Sequence, residues 1–274
     1  MTVHPAEKAW RIGLIGRQVE HSASPALFAD LFASSGVQGS YELLSFPDDA
    51  AVRSFLASEE AREFDGFNVT VPYKRLAADC CEQLTPRAAA IGAVNVLLPQ
   101  ADGQYCGDNT DSAGFMESIR PFLASAHERA LIIGRGGAAM AVANGLQALG
   151  VEVVHLVRSL TSDEAPPAKR RELLIHELRP EVVRAFLLIV QASPVGMWPN
   201  TDEAPTFLYG SLGPDHLCVD LVYNPAETQF LAQARQQGAT TLNGLGMLSA
   251  QAAAGWRAFQ LNRQQGGTSA SPHR

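Results

Sequence analysis

Apolar residues fall along this chain in short runs that alternate with stretches of helical period. Arg11–Gly16 (RIGLIG) predicts a strand ending in a turn, and Ala26–Ser35 an amphipathic helix. Tyr41–Phe46 and Ala50–Ala57 predict a second strand and helix. Gly66–Val71 (GFNVTV), Lys74–Cys81 and Ala93–Leu98 (AVNVLL) then predict a strand, a helix and a strand. A second series starts after Pro121: strands at Ala130–Ile133, Val151–Val157, Ala185–Val190 and Leu217–Val222, with helices near Gly137–Leu149 and Glu227–Gln237. Met247–Asn262 predicts a last helix, Glu164–Lys169 a solvated loop, and the residues from Gln264 a disordered end. Strands separated by helices of this length imply βαβ units in mainly parallel sheets, hence an α/β protein of two domains divided near residue 112.

Composition narrows the class. Lys and Arg total 21 against 28 Asp and Glu, a net charge of -7, the wrong sign for a nucleic-acid binder. At 46% hydrophobic and 18% charged residues the chain can bury a sizeable core. No apolar run approaches the ~20 residues of a membrane span, and the start MTVHPAEKAW lacks the pattern of a signal peptide. Cys80, Cys81, Cys106 and Cys218 have neither zinc-ligand nor disulfide-framework spacing. A reduced, soluble, cytoplasmic protein is expected, with no metal, no membrane and no nucleic-acid partner.

The most specific motif is Gly134-Arg135-Gly136-Gly137-Ala138-Ala139, between a predicted strand and a predicted helix. It fits G-x-G-x-x-(G/A): Gly134 for the tight turn, Gly136 for approach of the backbone to a pyrophosphate, Ala139 for close helix–strand packing, and a helix N-terminus facing negative charge. A Gly-rich turn that binds nothing is the competing reading. The next strand ends in Val157-Arg158-Ser159, where an NAD enzyme usually places an acidic residue. A guanidinium there suits a 2′-phosphate, so NADP is favoured over NAD, although Arg158 would also serve as a surface residue ending a strand.

Other polar groups are ambiguous by themselves. Asn68 and Thr70 share one face of a strand, and Lys74 opens the following helix. Gly107-Asp108-Asn109-Thr110-Asp111 is a dense polar knot whose usual reading is caps and turn-formers, as that of Lys74 alone is a surface lysine. In His21-Ser22-Ala23-Ser24-Pro25, Ser24 predicts an N-cap with Pro25 at the first helical position. Ser22 is left without a structural duty and would suit a carboxylate ligand.

Together these motifs resemble one family, the shikimate dehydrogenases with their quinate/shikimate relatives. The stretches are HSASP (21–25), DGFNVTVPYK (65–74), IGAVN (91–95), GDNTD (107–111), GRGGAA (134–139), Arg158, ASPVGM (192–197), DLVYNPAET (220–228) and GLGMLSAQAA (244–253), in the family's order across nearly the whole chain. The resemblance implies an N-terminal α/β substrate domain, residues 1–111 completed by a helix at 246–263, and a Rossmann-like, doubly wound dinucleotide-binding domain at 112–245. It implies reversible hydride transfer between NADP(H) and a ring ketone, 3-dehydroshikimate to shikimate, with closure of the two domains excluding water.

Lys74 and Asp111 match the family's catalytic pair. Ser22 and Ser24 match its carboxylate-binding serines, with Tyr223 assisting. Thr70, Asn95 and Gln251 match residues that bind ring hydroxyls, and Leu221, Gly244 and Met247 lie at positions near the nicotinamide. The Gly loop, Gly134 to Ala138 with Arg135, and the strand end, Arg158 and Ser159, would hold the cofactor. The substrate implied is a hydroxylated cyclohexene carboxylate, and the assembly a monomer or homodimer.

Four departures mark a divergent member: Val96 for the usual Thr, Arg135 for the usual Ala, Pro86 for an acidic residue, and Ser162 where a second basic residue follows the strand-end Arg. The last leaves NAD open as cofactor, with Arg135 as a partial substitute. A quinate/shikimate or aminoshikimate dehydrogenase is the alternative within the fold, and a non-catalytic shikimate- or NADP-sensing protein the alternative outside it.

Overall fold

A computed structural model of the chain describes residues 8–160 and 171–266. The loop expected at 164–169, Ser162, and the end expected beyond residue 266 lie outside them. Two compact units divide the chain between Thr110 and Asp111 and again between Gln251 and Ala252.

The first unit contains β1 (Trp10–Gly16), α1 (Ser24–Ser34), β2 (Gly39–Ser45), α2 (Asp49–Leu56), β3 (Gly66–Val69), α3 (Lys74–Asp79), β4 (Gln83–Leu84), α4 (Pro86–Ile91), β5 (Val96–Pro99) and β6 (Tyr105–Asp108). Its sheet has the order β2-β1-β3-β5-β6-β4. β5 runs antiparallel to both of its neighbours, a departure from the expected parallel pattern. The five residues Gln100–Gln104 between β5 and β6 suffice for a hairpin and are far too few for a parallel crossover.

Alternation along the strands sorts side chains to two faces. Trp10, Ile12, Val96 and Leu98 join an aromatic cluster with Phe28, Phe32, Trp256 and Phe259. Ile15, Phe67, Val69 and Leu97 join the opposite one with Phe64, Tyr73 and Tyr105. The departure at Val96 thus has a packing reason, since this residue is fully buried among aromatic rings where a threonine hydroxyl would need a partner.

The second unit contains α5 (Asp111–Ile119), β7 (Arg129–Ile133), α6 (Gly137–Ala148), β8 (Glu152–Val157), β9 (Glu172–Leu174), α7 (Pro180–Ala185), β10 (Leu188–Gln191), β11 (Leu217–Asp220), α8 (Gln229–Gln236) and β12 (Thr240–Leu242). Its six strands are all parallel in the order β12-β11-β10-β7-β8-β9, the doubly wound arrangement. Ala130, Ile132, Leu188, Val190, Leu217 and Val219 face one cluster, and Leu131, Ile133, Ile189 and Cys218 the other. A sheet apolar on both faces produces the continuous hydrophobic runs seen in the sequence. The last helix, α9 (Leu245–Gln264), begins in the second unit and ends in the first.

Three expected boundaries move for identifiable reasons. The strand expected at 185–190 starts at Leu188, because Pro180 opens a helix that runs to Ala185. The strand expected at 217–222 stops at Asp220, whose carboxylate takes the N–H of Val222 and turns the chain. Gln264, expected in a disordered end, is the last residue of α9. Among the described residues no helix is long and apolar enough to cross a membrane.

Trp256 joins α9 to the first unit's core: its ring centroid lies 4.6 Å from Trp10 and 5.2 Å from Phe32, and its Nε1–H donates to Ser35 Oγ at 2.8 Å. Trp256→Ala is expected to cost about 3–5 kcal/mol, read as a lowered urea midpoint by circular dichroism.

Candidate active site

The substrate-side residues are positioned by a buried polar network at the ends of β3, β5 and β6. Lys74 is the first residue of α3, half-buried, and its carbonyl oxygen accepts the N–H of Val94 at 2.8 Å. The next residue, Asn95, is 2% exposed. Its N–H donates to the Asp108 carbonyl at 3.0 Å, its Oδ1 accepts the Thr110 N–H at 2.8 Å, and its Nδ2 donates to Thr110 Oγ1 at 3.1 Å. Asn68 joins them, donating from Nδ2 to the Asn95 carbonyl at 3.3 Å and accepting from Tyr41 Oη at 3.0 Å. The half-buried Thr70 is held by its N–H on the Ile15 carbonyl at 2.8 Å. Asn95 and Thr110 therefore have fixed amide and hydroxyl orientations, and the buried Asp111 follows at the start of α5.

Asp108 anchors the network, a role the sequence reading missed. Its carboxylate accepts from Thr85 Oγ1 at 2.6 Å, from Arg87 Nε at 2.6 Å and a second time from Arg87, and from the Asn109 N–H at 2.8 Å. Burial pushes this carboxyl up, but the Arg87 and Thr85 hydrogen bonds outweigh it and hold it below the usual carboxylate range. Asn109 Nδ2 donates to the Ala93 carbonyl at 2.9 Å and closes the loop onto the same segment. Thr85-Pro86 was a readable signal for the start of α4, because Thr85 caps that helix through the Ala88 N–H with Pro86 directly after it.

The expected role of Ser24 as N-cap is not what forms. Ser24 and Pro25 occupy the first helical positions of α1, and Ala23 is the capping residue. The Ser24 N–H is met instead by Ser22 Oγ at 3.2 Å, so Ser22 has the structural duty that the sequence reading denied it. A hydroxyl two residues upstream reaches an N–H at the helix start that Ala23, without a polar side chain, cannot serve. Ser22 is half-buried and Ser24 is 5% exposed.

In the second unit the Gly loop connects β7 to α6. Gly134 has φ +108, and an added Cβ would also approach the Ala192 carbonyl at 3.3 Å, so the chain itself demands glycine there. Its carbonyl accepts from His155 Nδ1 at 2.8 Å and its N–H donates to Leu156 at 3.0 Å. Gly136 differs. It caps α6 with φ -72, and a Cβ would meet nothing within 4 Å. Glycine is a favoured N-cap, and the bare backbone also fits a ligand that needs close approach. Gly137 and Ala138 are half-buried in the first turn of α6, and Ala139 is fully buried against the sheet.

Arg158 and Ser159 are exposed just beyond β8. Arg135 is ion-paired with Glu172 on β9 at 3.2 Å, a partner that the sequence reading did not foresee.

Of the remaining candidates, Leu221, Tyr223 and Gly244 lie in the loops after β11 and β12, and Met247 and Gln251 in the first turns of α9. Leu221 N–H donates to the Gln191 carbonyl at 2.9 Å, and Gly244 N–H to Val222 at 3.1 Å. A Cβ on Gly244 would lie 2.1 Å from the Leu221 carbonyl oxygen, so glycine permits this contact. Tyr223 is half-buried, Met247 is 8% exposed in the core, and Gln251 Nε2 donates to the Leu248 carbonyl at 3.1 Å. Two further buried polar groups shape these loops. Gln191 holds Ser193 and Val195 through its amide. Asp220 accepts from the Val222 N–H at 2.9 Å and from Thr228 Oγ1 at 2.6 Å.

The family model described as the shikimate dehydrogenase substrate binding domain matches residues 14–97. A shikimate dehydrogenase (NADP(+)) from Rhodospirillum rubrum is 38% identical over 264 residues, covering 92% of each chain. The chain belongs to the shikimate dehydrogenase family. A second family member named shikimate dehydrogenase (NADP(+)), from Methylobacterium radiotolerans, is 38% identical over 91% of this chain and 90% of its own. The crystal structure of the Thermus thermophilus enzyme, in complex with NADP(H) and shikimate, is 34% identical with a TM-score of 0.79, covering 91% of this chain and 93% of that one. The α/β class and the Rossmann-like fold of the second unit stand as expected.

Asp220 generates a pH prediction. Burial pushes its carboxyl up to about 7, against the opposing pull of the Thr228 and Val222 hydrogen bonds. Below the ordinary carboxyl range the group is neutral both folded and unfolded. As pH rises towards 7 only the unfolded chain ionises, so folding stability contributed by the neutral form is lost, and above about 7 the loss levels off. Urea unfolding across pH 3–8 should therefore show the native protein losing stability relative to Asp220→Asn between about 4 and 7. A difference independent of pH would contradict the raised value.

Proposed function

We propose that this protein is an NADP(H)-dependent shikimate dehydrogenase that interconverts 3-dehydroshikimate and shikimate. The observation that carries this reading is the identity to such enzymes along nearly the full length of both chains, with residues matching the family's substrate-side and cofactor-side motifs in order. The exposed, unobstructed backbone at Gly136 supports a dinucleotide on the second unit, its pyrophosphate at the N-terminus of the twelve-residue α6. The soft basic group Arg158 at the end of β8 supports a 2′-phosphate there.

The nicotinamide supplies or accepts the hydride. All other steps belong to the chain. As a ring ketone is reduced, negative charge grows on its oxygen, and the Lys74 ammonium stabilises that charge and donates the proton. In the reverse direction the amine takes the proton from the hydroxyl. Asp111 is the carboxylate of the catalytic pair. Ser22 and Ser24, with Tyr223, donate hydroxyl hydrogens to the substrate carboxylate. Thr70, Asn95 and Gln251 read the ring hydroxyls. The Asn95 amide is suited to this, because Thr110 and the Asp108 network fix its orientation before substrate arrives.

Lys74→Ala is expected to reduce kcat by about a hundredfold or more while leaving substrate affinity largely intact. A variant with near-native turnover would remove Lys74 as proton donor. Initial rates with shikimate and quinate, each with NADP(+) and NAD(+), test the substrate. Shikimate with NADP(+) should give the highest kcat/KM, and a preference for quinate would reassign the enzyme within its family.

A further inference from the structure

Arg135 stands between the two loop glycines, and its guanidinium is held by Glu172, the first residue of β9. The side chains are 34% and 18% exposed, so the pair is partly withdrawn from solvent screening. The direction of this contact is informative. In the order β12-β11-β10-β7-β8-β9, strands β8 and β9 lie on one side of β7, whereas β10 to β12, with Leu221 and Gly244 after β11 and β12, lie on the other. Arg135 therefore points into the half of the sheet that also carries Arg158, and away from the half that carries the loops near Leu221. Glu172 pairs in register with His155 on β8, three residues before Arg158, and His155 in turn holds the Gly134 carbonyl. The Glu172 carboxylate thus faces the cation of the Gly loop from a place set by the strand register, while His155 beside it holds the first carbonyl of that loop.

We propose that Glu172 is a specificity-determining residue that sets the preference between phosphorylated and unphosphorylated cofactor by competing with the 2′-phosphate for Arg135. The inference rests on the functional reading above and deepens it. Arg135 supplies the second positive group of the 2′-phosphate site, in the place of the basic residue absent at Ser162. Its fork of N–H donors is shared between the Glu172 carboxylate and the incoming phosphate. The carboxylate occupies donors and offsets the charge of Arg135, so it lowers affinity for the 2′-phosphorylated cofactor. The cofactor lacking this group presents only a neutral 2′-hydroxyl there, with no charge for Arg135 to pair.

The test is direct binding of NADPH and NADH to the native protein, Glu172→Gln, Arg135→Ala and the double variant, read by nicotinamide fluorescence at fixed ionic strength. Glu172→Gln is expected to tighten NADPH by roughly two- to fivefold, the scale of a solvent-accessible ion pair, and to shift NADH by less than that. Arg135→Ala should weaken NADPH, and adding Glu172→Gln to it should then have little effect. The tightening should shrink as salt is raised. Equal tightening of both cofactors would move Arg135 to the pyrophosphate and overturn the proposal, as would an unchanged NADPH affinity. Tightening that persists in full without Arg135 would overturn it too, because Glu172 would then act by repulsion alone. A native protein that binds neither cofactor would instead overturn the functional reading. If Glu172→Gln fails to fold, judged by its circular dichroism, the Arg135→Ala contrast between NADPH and NADH decides.

Discussion

A sheet covered on both faces has only its ends left for polar chemistry, and this constraint orders everything else in the chain. In the second unit each central strand alternates between two apolar clusters, so no ligand can reach its faces. Gly134 follows β7, Arg158 follows β8, Gln191 closes β10 and Asp220 closes β11, all at carboxyl ends of parallel strands. The first unit obeys the same rule with a mixed sheet: Thr70 follows β3, Asn95 precedes the antiparallel β5, and Asp108 closes β6. The reversal of β5 matters here, because it brings the start of that strand to the edge where β3 and β6 end.

Two buried aspartates show how similar positions acquire opposite electrostatics. Both close a strand and both turn the chain by accepting a nearby N–H. Asp108 also receives a guanidinium, and its charge is held. Asp220 receives one hydroxyl and one N–H with no cation, and burial wins. Neutral donors do not compensate for the loss of water around a carboxylate, whereas a bidentate arginine does. The network around Asn95 and Thr110 consequently contains an ion pair, which pins the strand end whose carbonyl takes the Asn95 N–H. The loop beyond β11 is held by a group whose charge changes near neutral pH.

Legibility of the sequence follows from the range of the interactions. Strands such as RIGLIG and ALII were readable because their burial is written into consecutive residues, and the Gly loop because its residues act within one turn. The network around Asp108 was not, since Arg87 lies twenty-one positions away and its partner is fixed only by the pairing of β4 with β6. The Arg135–Glu172 pair spans thirty-seven positions and depends on which strand lies beside β8. Ser22 was misread for a different reason. Its hydrogen bond is local, but the cap preference pointed to Ser24 because Pro25 followed, and Pro tolerates either of the first two helical positions. Family resemblance supplied roles for Lys74, Asp111 and Gln251 that no periodicity could distinguish from surface or capping residues.

The glycines separate what the fold requires from what a ligand requires. Gly134 answers to its own backbone dihedral, and Gly244 to the Leu221 carbonyl against which it packs. Either would be glycine in a protein that bound nothing. Gly136 has an ordinary dihedral and open space where its Cβ would stand, so the fold would accept alanine at no steric cost. Gly136 is the N-cap of α6, however, where glycine is favoured over alanine, so helix capping is one reason for it. The open space beside it is a second feature, one that suits close approach of a ligand to that backbone. The same reasoning applies to charge. Arg135 next to this open backbone is paired with Glu172 on the neighbouring half of the sheet, so the loop's positive charge is already partly answered from within the fold.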